Sequence, residues 1–132
     1  MKQFGLSVGE KLKSRKEIKK VISFGTTIFS TDKKIKAIYL TEKNKEKTSV
    51  KITPAVFKKL GCAVWRNRAK RLIRESYRLN KHEIILKSTK KKIELKIIFS
   101  PQSINENTNK HIKLKEIMPG MLDVINKIKK KI

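Results

Sequence analysis

Five of the six arginines in this chain fall between residues 66 and 78, while lysine supplies nearly all of the charge elsewhere. Arginine is the side chain whose planar fork grips a phosphate through two hydrogen bonds and whose flat face stacks on a base, which a lysine ammonium does less well. The run Arg66-Asn67-Arg68-Ala69-Lys70-Arg71-Leu72-Ile73-Arg74 also has helical spacing. Wound at about 100° per residue, Trp65, Ala69, Leu72, Ile73 and Ser76 share one side, and Asn67, Lys70, Arg71, Arg74 and Arg78 share the other. One face packs and the other is cationic. Between Lys58 and Lys81 the only acid is Glu75. A merely solvated face would carry carboxylates to balance its charge, so binding of a polyanion is the stronger reading.

Groups for bond-breaking chemistry are not assembled in the sequence. His82 and His111 are distant from each other and neither has a Cys, Asp or second His at metal-ligand spacing. No Gly-rich loop precedes a Lys-Ser or Lys-Thr pair, and no two carboxylates stand out as a two-metal site. The single cysteine, Cys62, excludes an internal disulfide and reads as a small packed side chain between Gly61 and Ala63. The expectation is a polypeptide that binds and does not cleave, with no catalytic residue and no metal of its own.

A formal net charge of +24 over 132 residues makes nucleic acid the natural partner. A membrane surface is the competing polyanion, but no helix sets a broad Trp, Phe and Leu face against lysines, and no apolar run spans a bilayer. The start of the chain has no apolar signal region, so a cytoplasmic protein is expected.

The elements that must position the arginines follow from hydrophobic periodicity. One domain over residues 1–132 is expected, with a loose arm over 1–11 and a basic tail over 127–132. Ser14 and Glu17 have capping-box spacing ahead of an apolar stripe, predicting a helix from Arg15 to Phe24 that ends at Gly25 in the usual glycine position. Thr26 to Ser30 and Lys36 to Thr41 read as strands, the latter with Ala37, Tyr39 and Thr41 on one face and Ile38 and Leu40 on the other. Glu42 to Thr48 is a polar connection. A third strand begins near Ser49, and Pro54, which has no N–H to donate, places it at a sheet edge or breaks it there. The basic helix follows from about Ala63 to Leu79. Glu83 to Ser88 reads as a short helical turn or the start of a loop, and Lys90 to Lys92 as a solvated loop. Ile93 to Phe99 is the strongest strand signal, and the last helix begins near Pro119 or one turn before it. Helix, three strands, helix, strand, helix implies an α+β fold, a two-layer sandwich of helices on a small sheet.

The segment Lys58-Lys59-Leu60-Gly61-Cys62-Ala63-Val64-Trp65 and the Arg-Asn-Arg, Lys-Arg and Arg pattern after it resemble the signature of the bacterial ribonuclease P protein family. The resemblance extends at lower quality over the whole chain. It implies a ribosomal protein S5 domain 2-like topology with a left-handed crossover around the Arg-Asn-Arg helix. It also implies two partners, the ribonuclease P RNA and the 5′ leader of precursor tRNA, and a catalytic RNA that needs Mg2+ and performs the cleavage. By matched position, Arg66, Asn67, Arg68, Lys70, Arg71 and Arg74 carry the motif, with Lys58, Lys59 and Arg78 beside them. Ile18, Ile22 and Tyr39 match the leader groove, although the family commonly has aromatic residues at the two isoleucine positions. Trp65 reads as a packing anchor. The alternative is a ribosomal or other structural RNA-binding protein without a processing role.

Overall fold

A computed structural model describes residues 11–43 and 49–132. Most of the expected arm, and residues 44–48 of the expected connection, lie outside those residues. The order is α1 (Arg15–Phe24), β1 (Thr26–Phe29), β2 (Ile35–Lys43), β3 (Ser49–Pro54), α2 (Ala63–Asn80), α3 (His82–Lys91), β4 (Ile93–Pro101) and α4 (Leu114–Lys131). The strands form one sheet in the order β1-β2-β4-β3, with β3 parallel to β4 and the other neighbours antiparallel. The parallel pair is joined through α2 and α3, the connection for which the resemblance implies a left-handed crossover.

Alternation along the strands divides the sheet into two faces. Ile35, Ala37 and Tyr39 of β2, Val50 and Ile52 of β3, and Leu95, Ile97 and Phe99 of β4 are buried in the large core with α2, α3 and α4. The opposite face carries Ile38, Leu40 and Ile98, on which α1 lays Ile18 and Val21 beside Leu12. The α+β sandwich is thus the sheet with α2, α3 and α4, and α1 crosses the other side.

Local chemistry accounts for the boundaries. Ser14 caps α1, its hydroxyl accepting from the Glu17 N–H at 3.4 Å. Gly25 ends that helix at φ −77°, outside the left-handed region expected of a terminal glycine. The reason for glycine is space: a Cβ there would lie 2.4 Å from the Val21 carbonyl oxygen and 2.8 Å from that of Tyr39. Pro54 is the last residue of β3, and β3 is an edge strand, so the missing N–H costs no ladder bond inside the sheet. The β3 edge is met by Lys11, and the Leu12 N–H donates to the Ile52 carbonyl at 2.8 Å.

Two segments are more regular than periodicity suggested. Glu83 to Ser88, read as a turn or loop, lies within the ten-residue α3, because Ile84 and Ser88, one turn apart, are both buried. Lys90 and Lys91 belong to the last turn of α3, and Lys92 closes it at φ 58°. Residues 127–132, read as a basic tail, are the end of α4, since Ile128 continues the stripe of Ile117, Met121, Val124 and Ile125 into the core.

Candidate nucleic-acid interface

The α2 helix is amphipathic as expected: Trp65, Ala69, Leu72, Ile73 and Ser76 are buried, joined by Tyr77. Asn67, Arg71 and Arg74 are exposed on the other side, and Lys70 and Arg78 are half-buried. Trp65 is 3% exposed and its indole N–H donates to the Asn109 carbonyl at 2.8 Å, so it anchors the helix.

The arginines do not all do the same work. Arg68 donates through Nε to the Ile112 carbonyl at 2.7 Å, and Arg66 donates through Nε to the Gly61 carbonyl at 3.2 Å. Each keeps its terminal nitrogens while the inner one is tied to the fold. Arg71 and Arg74 make no such bond among the described residues, and Arg78 has only Glu75, 3.4 Å away one turn earlier. Arg71, Arg74 and Arg78 line a surface hollow of about 410 Å³ together with Glu75 and Lys11. Lys11 is there because the strand-like pairing of Lys11 with Ile52 holds it beside α2. Sequence reading left Lys11 in a loose arm, and a bridge to a sheet edge leaves no signal in local periodicity.

Lys58 and Lys59 stand exposed on a single 3-10 turn ahead of α2. At the helix start, Cys62 is exposed and is not the packed side chain that was expected. Its N–H donates to Glu106 Oε1 at 2.9 Å, and its sulfur lies 3.4 Å from Glu106 Oε2. Gly61 allows this approach, since a Cβ there would meet the Glu106 Cβ and the Trp65 ring at 2.9 Å. Residues 102–113 therefore form a strap over the start of α2, secured by Glu106, Asn109 and Ile112. The strap brings Lys110, His111 and Lys113 beside Arg68, three basic residues that the distance in sequence concealed.

The three residues matched to a leader groove are not brought together. Ile18 packs with Ile38 and Leu40 under α1, and Ile22 is 58% exposed on the same helix. Tyr39 is 8% exposed and faces the opposite side of the sheet, within the large core. The cause is the face that α1 covers: strand alternation puts Tyr39 opposite Ile38 and Leu40, and α1 packs on the latter pair. The positions of β2 that share the α1 face are Ile38 and Leu40, with Lys36 one step before them and its ammonium 6.0 Å from the exposed Phe57 ring.

The α1 face also holds the few acids of this region. Lys96, only 7% exposed, lies 3.8 Å from Glu17 and 3.7 Å from Glu42, and Lys20 reaches Glu42 at 2.9 Å. The Lys20 ammonium holds the Glu42 carboxyl below its ordinary range, with Lys96 adding to the effect. These pairs fasten α1 to the sheet and leave the outer face of α2 cationic. Among the described residues no three His, Cys, Asp or Glu side chains stand together as a metal-binding group. No described helix is long and apolar enough to cross a membrane.

Known proteins share this fold. The S. aureus RNase P protein matches with a TM-score of 0.64 and 24% identity over 90% of this chain and 94% of that one. The RNase P protein from Thermotoga maritima gives a TM-score of 0.64 at 19% identity over 89% of this chain and 96% of the other. At these identities the likeness establishes the fold. In sequence, the ribonuclease P protein component of Porphyromonas gingivalis is 39% identical over 80 residues, a match that covers 60% of this chain and spans 57% of that relative's length. The ribonuclease P protein component of Alkaliphilus metalliredigens is 34% identical over 90% of this chain and 93% of its own length. With the ribonuclease P family profile matching residues 6–118 as well, the chain belongs to the ribonuclease P protein family.

Proposed function

We propose that this chain is the protein subunit of ribonuclease P and assists removal of the 5′ leader from precursor tRNA without cleaving a bond itself. The observation that carries the reading is the outer face of α2, where Arg71 and Arg74 are exposed without a carboxylate partner among the described residues and the Nε bonds of Arg66 and Arg68 fix two more forks alongside. Preformed cationic forks on a rigid helix suit a structured RNA, because phosphates are met without ordering the side chains anew. Asn67, Lys70 and Arg78 extend that surface, and Lys58 and Lys59 prolong it past the helix start. The partner on this face is the ribonuclease P RNA. Phosphodiester hydrolysis, and the Mg2+ it needs, belong to that RNA, and the complex works in the cytoplasm.

The leader of precursor tRNA is assigned to the α1 side of the sheet, with Ile18, Ile22, Ile38 and Leu40 as its apolar part and Lys36 and Phe57 at one end. Tyr39 has no place in that groove. A purely ribosomal or structural role finds less support, since the relatives from Porphyromonas gingivalis and Alkaliphilus metalliredigens are ribonuclease P protein components.

Reconstitution with a bacterial ribonuclease P RNA tests the assignment. At low Mg2+ the chain is expected to raise the rate of precursor-tRNA processing by the RNA and to show no processing alone. Cleavage by the protein in the absence of RNA, or no gain on adding it, refutes the proposal.

A further inference from the structure

Away from α2, on the face of the sheet covered by α3 and α4, lies a cavity of about 670 Å³. Three elements each bring a lysine to it: Lys43 from the end of β2, Lys91 from the last turn of α3 and Lys131 from the last turn of α4. Three hydroxyls join them, from Thr26, Tyr39 and Thr41. The strand register puts these in a row, with Thr26 opposite Tyr39, Thr41 two residues on, and Lys43 two further, opposite Ile93. Ile93 and Ile132 supply an apolar border.

Two features separate this cavity from the lysine-rich surface in general. Glu75, Glu106 and Glu83 each line another basic hollow of the molecule, whereas among the described residues no Asp or Glu side chain lines this one. None of its three lysines has a carboxylate partner among the described residues. The second feature is Tyr39. Its ring is buried in the core, its residue is 8% exposed, and its hydroxyl has no hydrogen-bond partner among the described residues. A hydroxyl at the wall of a core finds a partner in most proteins, so that of a buried tyrosine which lines a cavity and has no described partner is a waiting donor. Lys91 and Lys131 alone would be explained as cations at helix C-termini. Lys43, on a strand, and the Tyr39 hydroxyl are not.

We infer that this cavity is a phosphate-binding site, seating a backbone phosphate of RNA on the side of the molecule away from the α1 groove and independent of the α2 face. The ammoniums of Lys43, Lys91 and Lys131 supply the charge, and the Tyr39, Thr26 and Thr41 hydroxyls donate to phosphate oxygens. Its size and its hydroxyl lining suit a phosphate with part of a ribose attached. The site enlarges the RNA footprint beyond what α2 offers and does not require the α2 assignment to hold.

Inorganic phosphate is the first probe. The isotope-labelled full chain is titrated with it at constant ionic strength, while amide resonances of Thr26, Tyr39, Thr41, Lys43 and Lys91 are followed by NMR. Saturable shifts are expected at these residues. Tyr39→Phe, which keeps the ring, is expected to weaken that binding about threefold, and Lys43→Gln with Lys91→Gln about tenfold. The Arg71 and Arg74 resonances should titrate as before. The second probe is a single-stranded RNA oligonucleotide across a salt series, where the double lysine variant should lower the log–log slope by about 0.7 for each lost contact. Phosphate shifts that are absent here, or insensitive to both variants, refute the site. Phosphate binding with an unchanged RNA slope overturns the RNA assignment and leaves a site for free phosphate. A slope lowered by Arg71→Gln but not by the double lysine variant refutes this inference while the α2 reading stands.

Discussion

Among the described residues Arg66 and Arg68 each spend one nitrogen on a backbone carbonyl, and Arg71 and Arg74 spend none, so substitution separates binding from folding at single residues. Arg71→Ala and Arg74→Ala should each weaken binding to the ribonuclease P RNA by about 1.5–3 kcal/mol, the worth of a charge-assisted hydrogen bond, with the melting temperature unchanged. Arg68→Ala should lower both, because it frees the strap at Ile112. Filter binding at near-physiological salt, alongside thermal melts, checks the contrast. Equal loss of stability in all three would show that the outer arginines also hold the fold. The cationic face was legible in sequence because a helix repeats its environment every turn. Tyr39 shares no face with Ile18 and Ile22: the alternation of Ala37, Tyr39 and Thr41 against Ile38 and Leu40 was legible in sequence, but which of the two faces α1 covers is a tertiary fact, and α1 packs on Ile38 and Leu40.

Among the elements, the ends carry more information than the middles. Gly25 was legible as a helix stop, yet its reason lay in tertiary packing against the Tyr39 carbonyl, which no local pattern records. Gly25→Ala should therefore destabilise the fold by about 1–3 kcal/mol through crowding of backbone atoms that cannot rotate away. Urea unfolding measures it, and a loss near zero would mean that α1 shifts freely on the sheet. Pro119 makes the opposite case. It sits inside α4, five residues past Leu114, where it lacks the N–H that would donate to the Lys115 carbonyl. Being exposed, it gives nothing back in packing. Pro119→Ala should raise stability, by up to about 3 kcal/mol, in the same urea experiment. A decrease would show that the proline sets the direction of the first turn against the strap. The full length of α3, of which sequence offered only a short helical turn or the start of a loop over Glu83 to Ser88, was hidden for a related reason. It follows α2 after Lys81 alone, and its buried surface is Ile84 and Ser88, too little for a period to stand out.

On the scale of the whole molecule, a chain of net charge +24 has few carboxylates, and the structure uses several of them as fasteners between layers. Glu17 and Glu42 hold α1 to the sheet through Lys96 and Lys20. Asp123 ties α4 to the turn after β1, accepting from the Thr31 N–H at 2.5 Å and from its hydroxyl at 2.8 Å, with Lys127 at 3.3 Å. The Thr31 N–H is the first reason that the Asp123 carboxyl lies below its ordinary range, and the Lys20 ammonium plays that part for Glu42. A carboxylate whose folded pKa is depressed adds stability that is complete above its unfolded pKa, about 4 for Asp and Glu, and is lost as the pH falls through the folded value. Stability should thus be flat from neutral pH to about 5 and decline below about 4. Self-repulsion acts in the same direction, because each protonated carboxylate adds to an already large positive charge. The two causes are separable by salt. Repulsion across the molecule is screened by 1 M salt, at a Debye length of about 3 Å, while the hydrogen bonds to Asp123 are short and partly sheltered. Melting temperatures between pH 3 and pH 7, in low salt and in 1 M sodium chloride, should show an acid decline that salt reduces but does not abolish. Asp123→Asn should remove part of the residual decline by lowering stability at neutral pH. If 1 M salt flattens the profile completely, the fasteners contribute nothing and charge repulsion alone governs acid unfolding.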